Sequence, residues 1–265
     1  MQTDKVIQHI VDWLNRYAHD AGMTGFVAGV SGGIDSAVTA ALIARTGRPV
    51  LIVEMPIHQA PGQVRRGRDH IASLKSRHGN LSSVEVELTT VFDTLVAALP
   101  GVEDEELRFM ALANTRARLR MTALYYFAAL NRYLVAGTGN KVEDFGVGFF
   151  TKFGDGGVDL SPIADLVKTE VYELGRALGV ADAILNAAPT DGLWGDDRTD
   201  EDQIGASYPE LEWAMDHVDR GESAGSLSER EREVLAIYKR FHGANRHKME
   251  PIPVCTIPAA LRRSP

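Results

Sequence analysis

Cysteine is nearly absent from this sequence of 265 residues, in which Cys255 is the only one. A single thiol excludes a framework of internal disulfides, and it also excludes a metal site built from several cysteines. Cys255 lies in a proline-flanked stretch, PIPVCTIP, near the end of the sequence. Proteins without disulfides are typical of a reducing compartment. We therefore expect a cytoplasmic location.

Long apolar runs and an excess of positive charge are missing as well. No stretch approaches the roughly 20 consecutive apolar residues that a membrane-spanning helix needs. The N-terminal stretch MQTDKVIQHIVDWLNRYAHD is amphipathic and carries charges throughout, unlike a signal peptide. The 28 Lys and Arg residues are outnumbered by 36 Asp and Glu residues, which gives a formal net charge of −8. We expect neither a membrane nor a nucleic acid as a partner.

The glycine-rich stretch GVSGGIDSAV, Gly29 to Val38, has no lysine after its glycines. It is therefore neither the G-x-x-x-x-G-K-[ST] phosphate loop nor a G-x-G-x-x-G dinucleotide fingerprint. The apolar run at 25–30 predicts a buried strand before the glycines, and the Ala/Leu-rich run at 37–45 predicts a helix that begins at about Asp35 or Ser36. Glycines at such a junction let the backbone approach a ligand, and free N–H groups at a helix start bind anions.

Asp35 puts a carboxylate at this anion site, where it would repel a phosphate unless a cation such as Mg²⁺ lay between them. The alternative is an ordinary glycine-rich turn with Asp35 as a helix cap. SGGIDS, Ser31 to Ser36, resembles the SGGxDS pyrophosphate loop of the N-type ATP pyrophosphatases, which cut ATP into AMP and pyrophosphate. This resemblance implies ATP as a co-substrate and Mg²⁺ as the metal.

Helices and strands alternate over the first half of the chain. The periodicity predicts helices at 4–20, 61–78, 89–98 and 103–131, and further strands at 49–55, 81–88 and 132–137. Strands separated by helices in this rhythm predict an α/β fold, with a Rossmann-like, mostly parallel sheet and helices on both faces. Thr3 is a possible cap of the first helix, and the strand at 81–88 is expected nearer an edge.

Two of these helices carry further expectations. The basic side chains of the helix at 61–78 are expected to be solvated for the most part. Residues 121–130, MTALYYFAAL, are apolar nearly all round. A helix of this kind must be buried, either in the core or against another subunit.

The stretch 137–162 differs in composition from everything before it, because it combines many glycines with charged residues and phenylalanines. A long loop of this composition is typical of functional segments. Beyond it the patterns predict helices at 164–179, 207–219 and 228–242, a mobile acidic segment at 189–202, and a tail containing Arg246, His247 and Lys248. The expected organisation is one domain over 1–265 with a C-terminal helical extension at about 205–265.

GTGNKVEDFGVGFFTKFGDGGVDLSPIADLVK, residues 137–168, looks like the long signature of the ammonia-dependent NAD synthetases. PTDGLW at 189–194, YPELE at 208–212 and the pair His247-Lys248 resemble the same family, so the resemblance runs from about 25 to 250. GFFTKFGDGG is its specific part, because GMP synthetase, asparagine synthetase and tRNA thiolases share the pyrophosphate loop. The resemblance implies that the nicotinate carboxylate of deamido-NAD attacks the α-phosphorus of ATP, after which ammonia converts the adenylate to NAD and AMP.

Site residues follow from the resemblance position by position. ATP or its pyrophosphate would contact Gly29, Val30, Ser31, Gly32, Gly33, Ile34, Asp35, Ser36, Thr138, Lys168 and Thr190. Deamido-NAD would contact Arg118, Lys152, Asp159, His247 and Lys248. Mg²⁺ would be held by Asp35 and Glu143, and Asp35, Lys152 and Lys168 would be catalytic.

Several of these assignments leave alternatives open. The run GNKVEDF departs from many relatives, so Asp144 remains an alternative metal ligand to Glu143. Arg116 and Arg120 lie near one helical face with Arg118, and one of the three must point to the site. The structural alternatives are a surface or interface ion pair for Arg118, an ordinary surface position for Lys168, and a loop or helix cap for Asp159. Lys152, set among glycines and phenylalanines, is harder to explain structurally.

The resemblance also bears on the nitrogen donor and on assembly. Glutamine-dependent relatives add an amidase domain with a nucleophilic cysteine, and Cys255 has no room around it for such a domain, so we expect ammonia as the direct donor. The family implies a homodimer.

One rival function is a tRNA thiolase or another synthetase of the loop's superfamily, although a thiolase would need a cysteine pair and a basic surface. The other rival is a nucleotide-binding module, which would have no need of Asp35, Glu143 and Lys152 together.

Overall fold

The computed structural model describes residues 1–189, 199–222, 225 and 227–262. In chain order the elements are α1 (Thr3–Asp20), β1 (Gly25–Gly29), α2 (Ile34–Ala44), β2 (Val50–Glu54), α3 (Pro61–Arg77), β3 (Leu81–Glu85), α4 (Thr89–Ala98), α5 (Glu105–Asn131), β4 (Tyr133–Val135), a π-helix (Val142–Val147), α6 (Lys168–Ala177), α7 (Asp182–Leu185), α8 (Asp200–Ile204), α9 (Tyr208–Asp219), α10 (Glu229–Met249) and a short 3₁₀ turn (Ala259–Leu261).

The strands form one parallel sheet in the order β3-β2-β1-β4. Phe26 of β1 lies opposite Val50 of β2 on one side and Leu134 of β4 on the other. An isolated parallel bridge between Ala136 and Leu160 continues the pairing beyond β4. The predicted α/β class, the parallel direction and the edge position of β3 are confirmed. Each strand is shorter than its predicted range.

Helices cover both faces of the sheet. Successive residues of β1 point to opposite faces, so they pack in different cores. Phe26 and Ala28 are fully buried in a core shared with α1, α2 and α6. Val27 is equally buried but packs in a second core with residues of α4 and α5. The expectation of helices on both faces is confirmed. The two packed faces hold β1, and the loop that follows it, in a fixed position.

A third apolar cluster joins the C-terminal helices to the segment after β4. Leu211 of α9 and Val234 of α10 are buried against Val142 and Val147 of the π-helix. The stretch 137–162 is therefore not a plain loop, since one helical turn within it is anchored by its valines. This packing sets α9 and α10 beside the carboxyl end of the sheet.

Several predicted boundaries were wrong. Thr3 lies inside α1, whose N-cap is Gln2, so Thr3 is not the cap. α6 begins at Lys168 and not at 164. α10 extends to Met249, so its last turn contains the basic residues that were predicted to lie in a tail.

The acidic segment predicted to be mobile at 189–202 falls largely outside the described residues, at 190–198. Its end forms the start of α8, where the side chain of Thr199 accepts a hydrogen bond from the backbone N–H of Asp202. Neither α7 nor α8 was predicted. Within the ranges given above, no helix combines the length and the apolarity that crossing a bilayer requires.

Candidate active site

A cleft of about 660 Å³ opens at the carboxyl ends of β1, β2 and β4. Its walls come from the turn after β1, from Glu54 to Pro56 after β2, from Gly137 and Thr138 after β4, and from inward-facing residues of α3 and α5. Open parallel sheets bind ligands at this edge. The location agrees with the interpretation of the SGGIDS motif.

The turn between β1 and α2 is held by its own serines and by close contact with α3. The hydroxyl of Ser36 accepts a hydrogen bond from the Ser31 N–H at 3.2 Å and donates to the Gly33 carbonyl at 3.0 Å. Gly32 has a φ of +85°, and a Cβ there would lie 2.5 Å from the carbonyl oxygen of Gln63, so only glycine fits. Gly33 is the N-cap of α2 and supplies no side-chain cap. The amides of this helix start suit an anion.

Asp35 does not cap α2, which excludes the structural alternative for this residue. Its Oδ2 accepts a hydrogen bond from Lys168 Nζ at 2.6 Å, and the same ammonium group donates to Glu143 Oε1 at 2.9 Å. The side chain of Lys168 is 4% exposed, so it is not an ordinary surface lysine. A lysine at the start of α6 thus lies between the two carboxylates that were predicted to hold magnesium.

Asn140 fixes the relative position of those two carboxylates. Its side-chain amide donates to Asp35 Oδ1 at 3.1 Å, while its Oδ1 accepts the backbone N–H groups of Val142 and Glu143. Asn140 is completely buried. One amide therefore connects the first turn of α2 to the start of the π-helix.

The charges of this group depend on one another. Burial raises the pKa of Asp35, against the attraction of Lys168. Burial alone would also raise the pKa of Glu143, but Lys168 and the hydroxyl of Tyr208 lower it below its usual value. Burial would lower the pKa of Lys168, yet the two carboxylates raise it, so the ammonium group stays charged. The site carries one fixed cation between two acids.

Tyr208, the first residue of α9, was not among the predicted site residues. It is buried, and its hydroxyl donates to Glu143 Oε1 at 2.5 Å. Lys168 Nζ lies 4.6 Å from the centre of its ring, within the range of a cation–π contact. Tyr208 therefore links the C-terminal helices to the acidic pair, and the YPELE motif was the signal in the sequence that could have identified it.

Asp144, the alternative metal ligand, also lines the cleft. Its carboxyl group packs on the backbone of Gly139, where a Cβ would lie 2.1 Å from Oδ1. Burial, followed by the charges of Glu143, Asp155 and Asp35, raises the pKa of Asp144 to about 8. Glu143, which faces Asp35 across Lys168, is better placed to share a cation with it.

Among Arg116, Arg118 and Arg120 of α5, Arg120 is the one that lines the cleft. Its Nε donates to the Met55 carbonyl at 3.0 Å and its Nη2 donates to Gln59 Oε1 at 2.8 Å. Desolvation, with a smaller effect of Arg116, lowers the pKa of Arg120 to about 10. Arg118 is exposed and donates to the carbonyl of Lys152 at 3.3 Å. Sequence reasoning selected Arg118, whereas the fold turns Arg120 inward.

Four of the five residues predicted to bind deamido-NAD gather at the end of α10. Lys152 Nζ donates to the His247 carbonyl at 2.5 Å, and Lys248 Nζ donates to the Phe150 carbonyl at 2.6 Å. With Arg118 they form a surface that we call the basic patch, made of Arg118, Lys152, His247 and Lys248. Only Lys248 lines the cleft.

Asp159 lies apart from the basic patch. Its two carboxylate oxygens accept hydrogen bonds from the Tyr125 hydroxyl at 3.0 Å and from the Val135 N–H at 2.8 Å. It lines a shallow cavity of about 420 Å³ beside Trp13 and Tyr17 and not the main cleft. Its partners are an α5 side chain and the backbone of β4, so Asp159 does not cap a helix.

The predicted ATP residues, by contrast, come together. The main cleft is lined by Gly29, Val30, Ser31, Gly32, Gly33, Ile34, Asp35, Ser36, Thr138, Glu143 and Lys168. Thr190 lies outside the described residues. The fold brings the ATP set to one wall and leaves most of the deamido-NAD set at the rim or beyond it.

The donor set suits magnesium. Among the described residues, no three His, Cys, Asp or Glu side chains are grouped so as to hold a metal by themselves. Mg²⁺ commonly takes only one or two protein carboxylates and completes its shell with phosphate and water. Asp35 and Glu143, which already share the Lys168 cation, fit an ion that arrives with a nucleotide.

Known proteins resemble the chain over nearly its whole length. The profile of the NAD synthase family matches residues 6–252. The NH(3)-dependent NAD(+) synthetase of Carboxydothermus hydrogenoformans is 38% identical over 242 residues, which are 91% of this chain and 93% of that protein. The structure of NMN synthetase from Francisella tularensis superimposes with a TM-score of 0.83 at 31% identity, covering 98% of this chain and 99% of the other.

A more distant structure has the same fold. The NH3-dependent NAD synthetase from Campylobacter jejuni superimposes with a TM-score of 0.78 at 23% identity, over 97% of this chain and all of the other. At this identity the likeness concerns the fold alone.

Proposed function

The chain belongs to the NAD synthase family, and we infer from this membership that it is a ligase that converts deamido-NAD to NAD with ammonia and ATP. The reaction releases AMP and pyrophosphate through a nicotinate adenylate. The single observation that carries this function is the placement of the SGGIDS turn, Asp35, Glu143 and Lys168 on one wall of the cleft. A thiolase or a passive nucleotide-binding module is excluded by the family match.

Adenylation solves a chemical problem that the substrate presents. A free carboxylate is a poor electrophile because its leaving group would be oxide, and an adenylate supplies a better one. What remains for the protein is to position the two substrates and to neutralise charge. The amides of the turn and of the first turn of α2 bind the phosphate oxygens that become pyrophosphate, and Ser31 and Ser36 keep that turn in shape.

Asp35 and Glu143 would hold magnesium, which supplies charge neutralisation on the phosphates when it is bound. Lys168 keeps the two carboxylates at a common site and contributes a further positive charge next to the phosphate-binding turn. Thr138, at the carboxyl end of β4, and Thr190 contact the nucleotide. Asn140 and Tyr208 hold the carboxylates in orientation through their hydrogen bonds.

The basic patch is assigned to deamido-NAD, whose phosphates and nicotinate carboxylate require cations. Asp159 is assigned to the same substrate on the family resemblance alone. Lys152 is catalytic in this scheme, because it can place its ammonium group beside the nicotinate carboxylate. Three of the four patch residues lie outside the cleft of a single chain. A second copy of the chain would complete a site of this kind, which supports a homodimer.

α5 supplies the surface for such a dimer. Leu107, Tyr126 and Leu130 are 68%, 61% and 64% exposed, although the apolar stretch at 121–130 demands burial. Light scattering at micromolar concentration is expected to give a dimer, and Leu130→Glu is expected to give a monomer. Arg132→Glu is a matched control, because its exposed side chain immediately follows α5. A monomeric native protein would contradict the assignment.

The organisation that accompanies this function is one domain over 1–265, with a helical extension at about 205–265 that carries Tyr208 and the end of the basic patch. We place the protein in the cytoplasm, in keeping with its single thiol. Ammonia is the direct nitrogen donor, as in the relatives with which it shares 35–38% identity.

A second candidate substrate is favoured by one observation. The Francisella tularensis protein that superimposes with a TM-score of 0.83 is an NMN synthetase. Nicotinate mononucleotide carries the same carboxylate as deamido-NAD and lacks only the AMP half. The chemistry on ATP and ammonia would be unchanged, so the two substrates differ only in whether the basic patch and Asp159 have an AMP moiety to bind.

Pyrophosphate release from MgATP tests the function, with the acid substrate and ammonium each present or omitted. Release that requires deamido-NAD, with NAD formed only when ammonium is added, is the expected result. Nicotinate mononucleotide in a parallel arm decides between the two acids through the ratio of kcat/KM values. Release with neither acid, or robust use of glutamine in place of ammonium, would contradict the assignment.

A further inference from the structure

α3 packs directly on the phosphate-binding turn, and two glycines make the approach possible. The Cβ that Gly32 lacks would lie 2.5 Å from the Gln63 carbonyl and 3.2 Å from the Gly67 nitrogen. Gly67 is buried and offers no side chain on the facing side. The residue that precedes it, Arg66, is thereby brought to the edge of the turn.

Arg66 is half-buried and lines the cleft. Its Nε donates to the Gly32 carbonyl at 3.4 Å, a long and weak hydrogen bond. Within the described part of the chain, that is the only hydrogen bond recorded for the guanidinium. The guanidinium is planar and lies next to a turn that binds anions. Its remaining N–H groups can donate to two phosphate oxygens at once.

The other cations of the cleft are already engaged. Of the described residues that line it, six are acidic and four are cationic. Among the cations other than Arg66, Lys168 is paired with Asp35 and Glu143, Arg120 with Met55 and Gln59, and Lys248 with the Phe150 carbonyl. A triphosphate entering this acidic cleft needs a further positive charge near the turn.

The neighbouring arginines of α3 do not meet this need. Arg68 forms an ion pair with Glu85 at 2.6 Å and lies 3.5 Å from Glu54. Arg65 is exposed and does not line the cleft. Successive helical residues point about 100° apart, so the direction of Arg66 is not shared by its neighbours.

We propose that Arg66 binds the β- and γ-phosphates of ATP and retains the leaving pyrophosphate. The inference rests on the proposed function, which makes pyrophosphate a product. It adds a catalytic residue from α3. During adenylation the bond between the α-phosphorus and its bridging oxygen breaks, and the electron pair stays on the pyrophosphate oxygen. The guanidinium stabilises the charge that develops there.

Calorimetric titration of the full-length protein with pyrophosphate in the presence of Mg²⁺ tests the proposal without any turnover. Arg66→Gln is expected to weaken binding by about 10- to 100-fold, the range for a charge-assisted hydrogen bond lost from a phosphate. Arg65→Gln, one residue away on the same helix, is the matched control and should stay within about two-fold. AMP, which lacks the two terminal phosphates, should bind both variants like the native protein.

Each other outcome overturns the assignment. Native affinity in Arg66→Gln would show that the guanidinium does not touch the phosphates. An equal loss of pyrophosphate affinity in Arg65→Gln would show that the summed positive charge of α3 attracts the ligand, and not a contact made by Arg66. A parallel loss of AMP binding or of thermal stability in Arg66→Gln would mean that the residue only supports the turn, in which case Arg66→Lys should restore stability and pyrophosphate affinity together. Because titration needs no acid substrate, a failure of deamido-NAD to trigger pyrophosphate release would refute the proposed function and leave this measurement intact.

Discussion

The two ends of the candidate site are built in different ways. At the phosphate end, Asp35, Glu143 and Lys168 bond to one another through side chains, and none of the three is more than 17% exposed. At the basic patch, the lysines bond to backbone carbonyls, and the side chains of Arg118 and His247 are exposed. The first arrangement is a closed set of ion pairs within one chain, whereas in the second no side chain of the patch is paired with a carboxylate in the described residues.

This difference follows from the cost of burying charge. A buried ammonium or carboxylate must be paired, so the phosphate end needs a closed set of partners before any ligand arrives. Side chains at the rim keep contact with water, so they need no ion-pair partner before a ligand or a second subunit arrives. We expect substitutions at the phosphate end to act on catalysis and on metal dependence, and substitutions in the basic patch to act on the acid substrate.

The largest effect is expected from Asp35→Asn. The change keeps the shape of the side chain and removes the charge that faces Glu143 across Lys168. Magnesium-dependent pyrophosphate release should fall on the order of 100-fold or more, because a buried ligand charge is lost, while circular dichroism should show a native fold. Asp165→Asn is the control, since that carboxylate is 98% exposed and pairs with Lys141. Native activity in Asp35→Asn would remove Asp35 from the site.

Tyr208→Phe tests whether the C-terminal helices tune the phosphate end. The variant deletes a hydroxyl that donates to Glu143 and leaves the ring, with its Lys168 contact, in place. Half-maximal activity should require about 10-fold more Mg²⁺, as for a lost hydrogen bond to a charged group. Tyr126→Phe, at a 61% exposed position of α5, serves as the comparison. Its activity should depend on the Mg²⁺ concentration as that of the native enzyme does. An unshifted magnesium curve in Tyr208→Phe would argue against this positioning role.

Lys152→Ala tests the basic patch, the other end of the candidate site. The KM for deamido-NAD is expected to rise by about 10-fold, while the KM for ATP should change less than two-fold, because Lys152 does not line the cleft that holds the ATP residues. Steady-state kinetics with each substrate varied in turn measures both. Lys75→Ala, which removes an exposed lysine of α3, should alter neither constant. A larger effect on ATP than on deamido-NAD would abolish the division between the two ends.

The smallest effect concerns how the free energy of unfolding depends on pH through His70, which packs behind the phosphate-binding turn. His70 of α3 is buried, its Nε2 lies 3.0 Å from the Ala37 carbonyl of α2, and burial lowers its pKa from the usual 6.5. The unfolded chain therefore binds the proton more readily, so the free energy of unfolding is highest above pH 6.5 and falls as the pH drops below it.

His70→Gln removes this titration and can keep a hydrogen bond to Ala37. Chemical denaturation between pH 7.5 and 5.5 should give a shallower decline for the variant than for the native protein. His9→Gln, on an exposed face of α1, should leave the slope unchanged. Identical slopes in His70→Gln and the native protein would show that His70 does not contribute to the acid sensitivity.

Much of the fold was predictable because its signals are local. The apolar strands, the glycines after β1 and the acidic start of α5 each lie within a few residues of the structure they specify. The errors lie at the ends of helices and in the stretch after β4. α6 starts four residues later than predicted, and the π-helix exists because Val142 and Val147 are buried against α9 and α10.

The candidate site divides in the same way. The SGGIDS turn could be identified from six adjacent residues, and its neighbours in the cleft were assigned through motifs. Asn140 and Tyr208 were not among the predicted site residues, although the YPELE motif contains Tyr208, and Arg120 was named only as an alternative to Arg118. Arg118 and Arg120 are two residues apart on one helix, and only the packing of α5 on the sheet decides which of them faces the cleft.

The sequence by itself determined the order of strands and helices, the phosphate-binding turn and the family to which the chain belongs. Only the tertiary structure decided that Lys168 lies between Asp35 and Glu143, from which it is separated by 133 and 25 residues along the chain. Backbone propensity and motif spacing act between neighbours in the chain. The pairing of buried charges depends instead on how the sheet and helices pack. A buried charged side chain pairs with the opposite charge that the fold brings within hydrogen-bond distance, wherever that residue lies in the sequence.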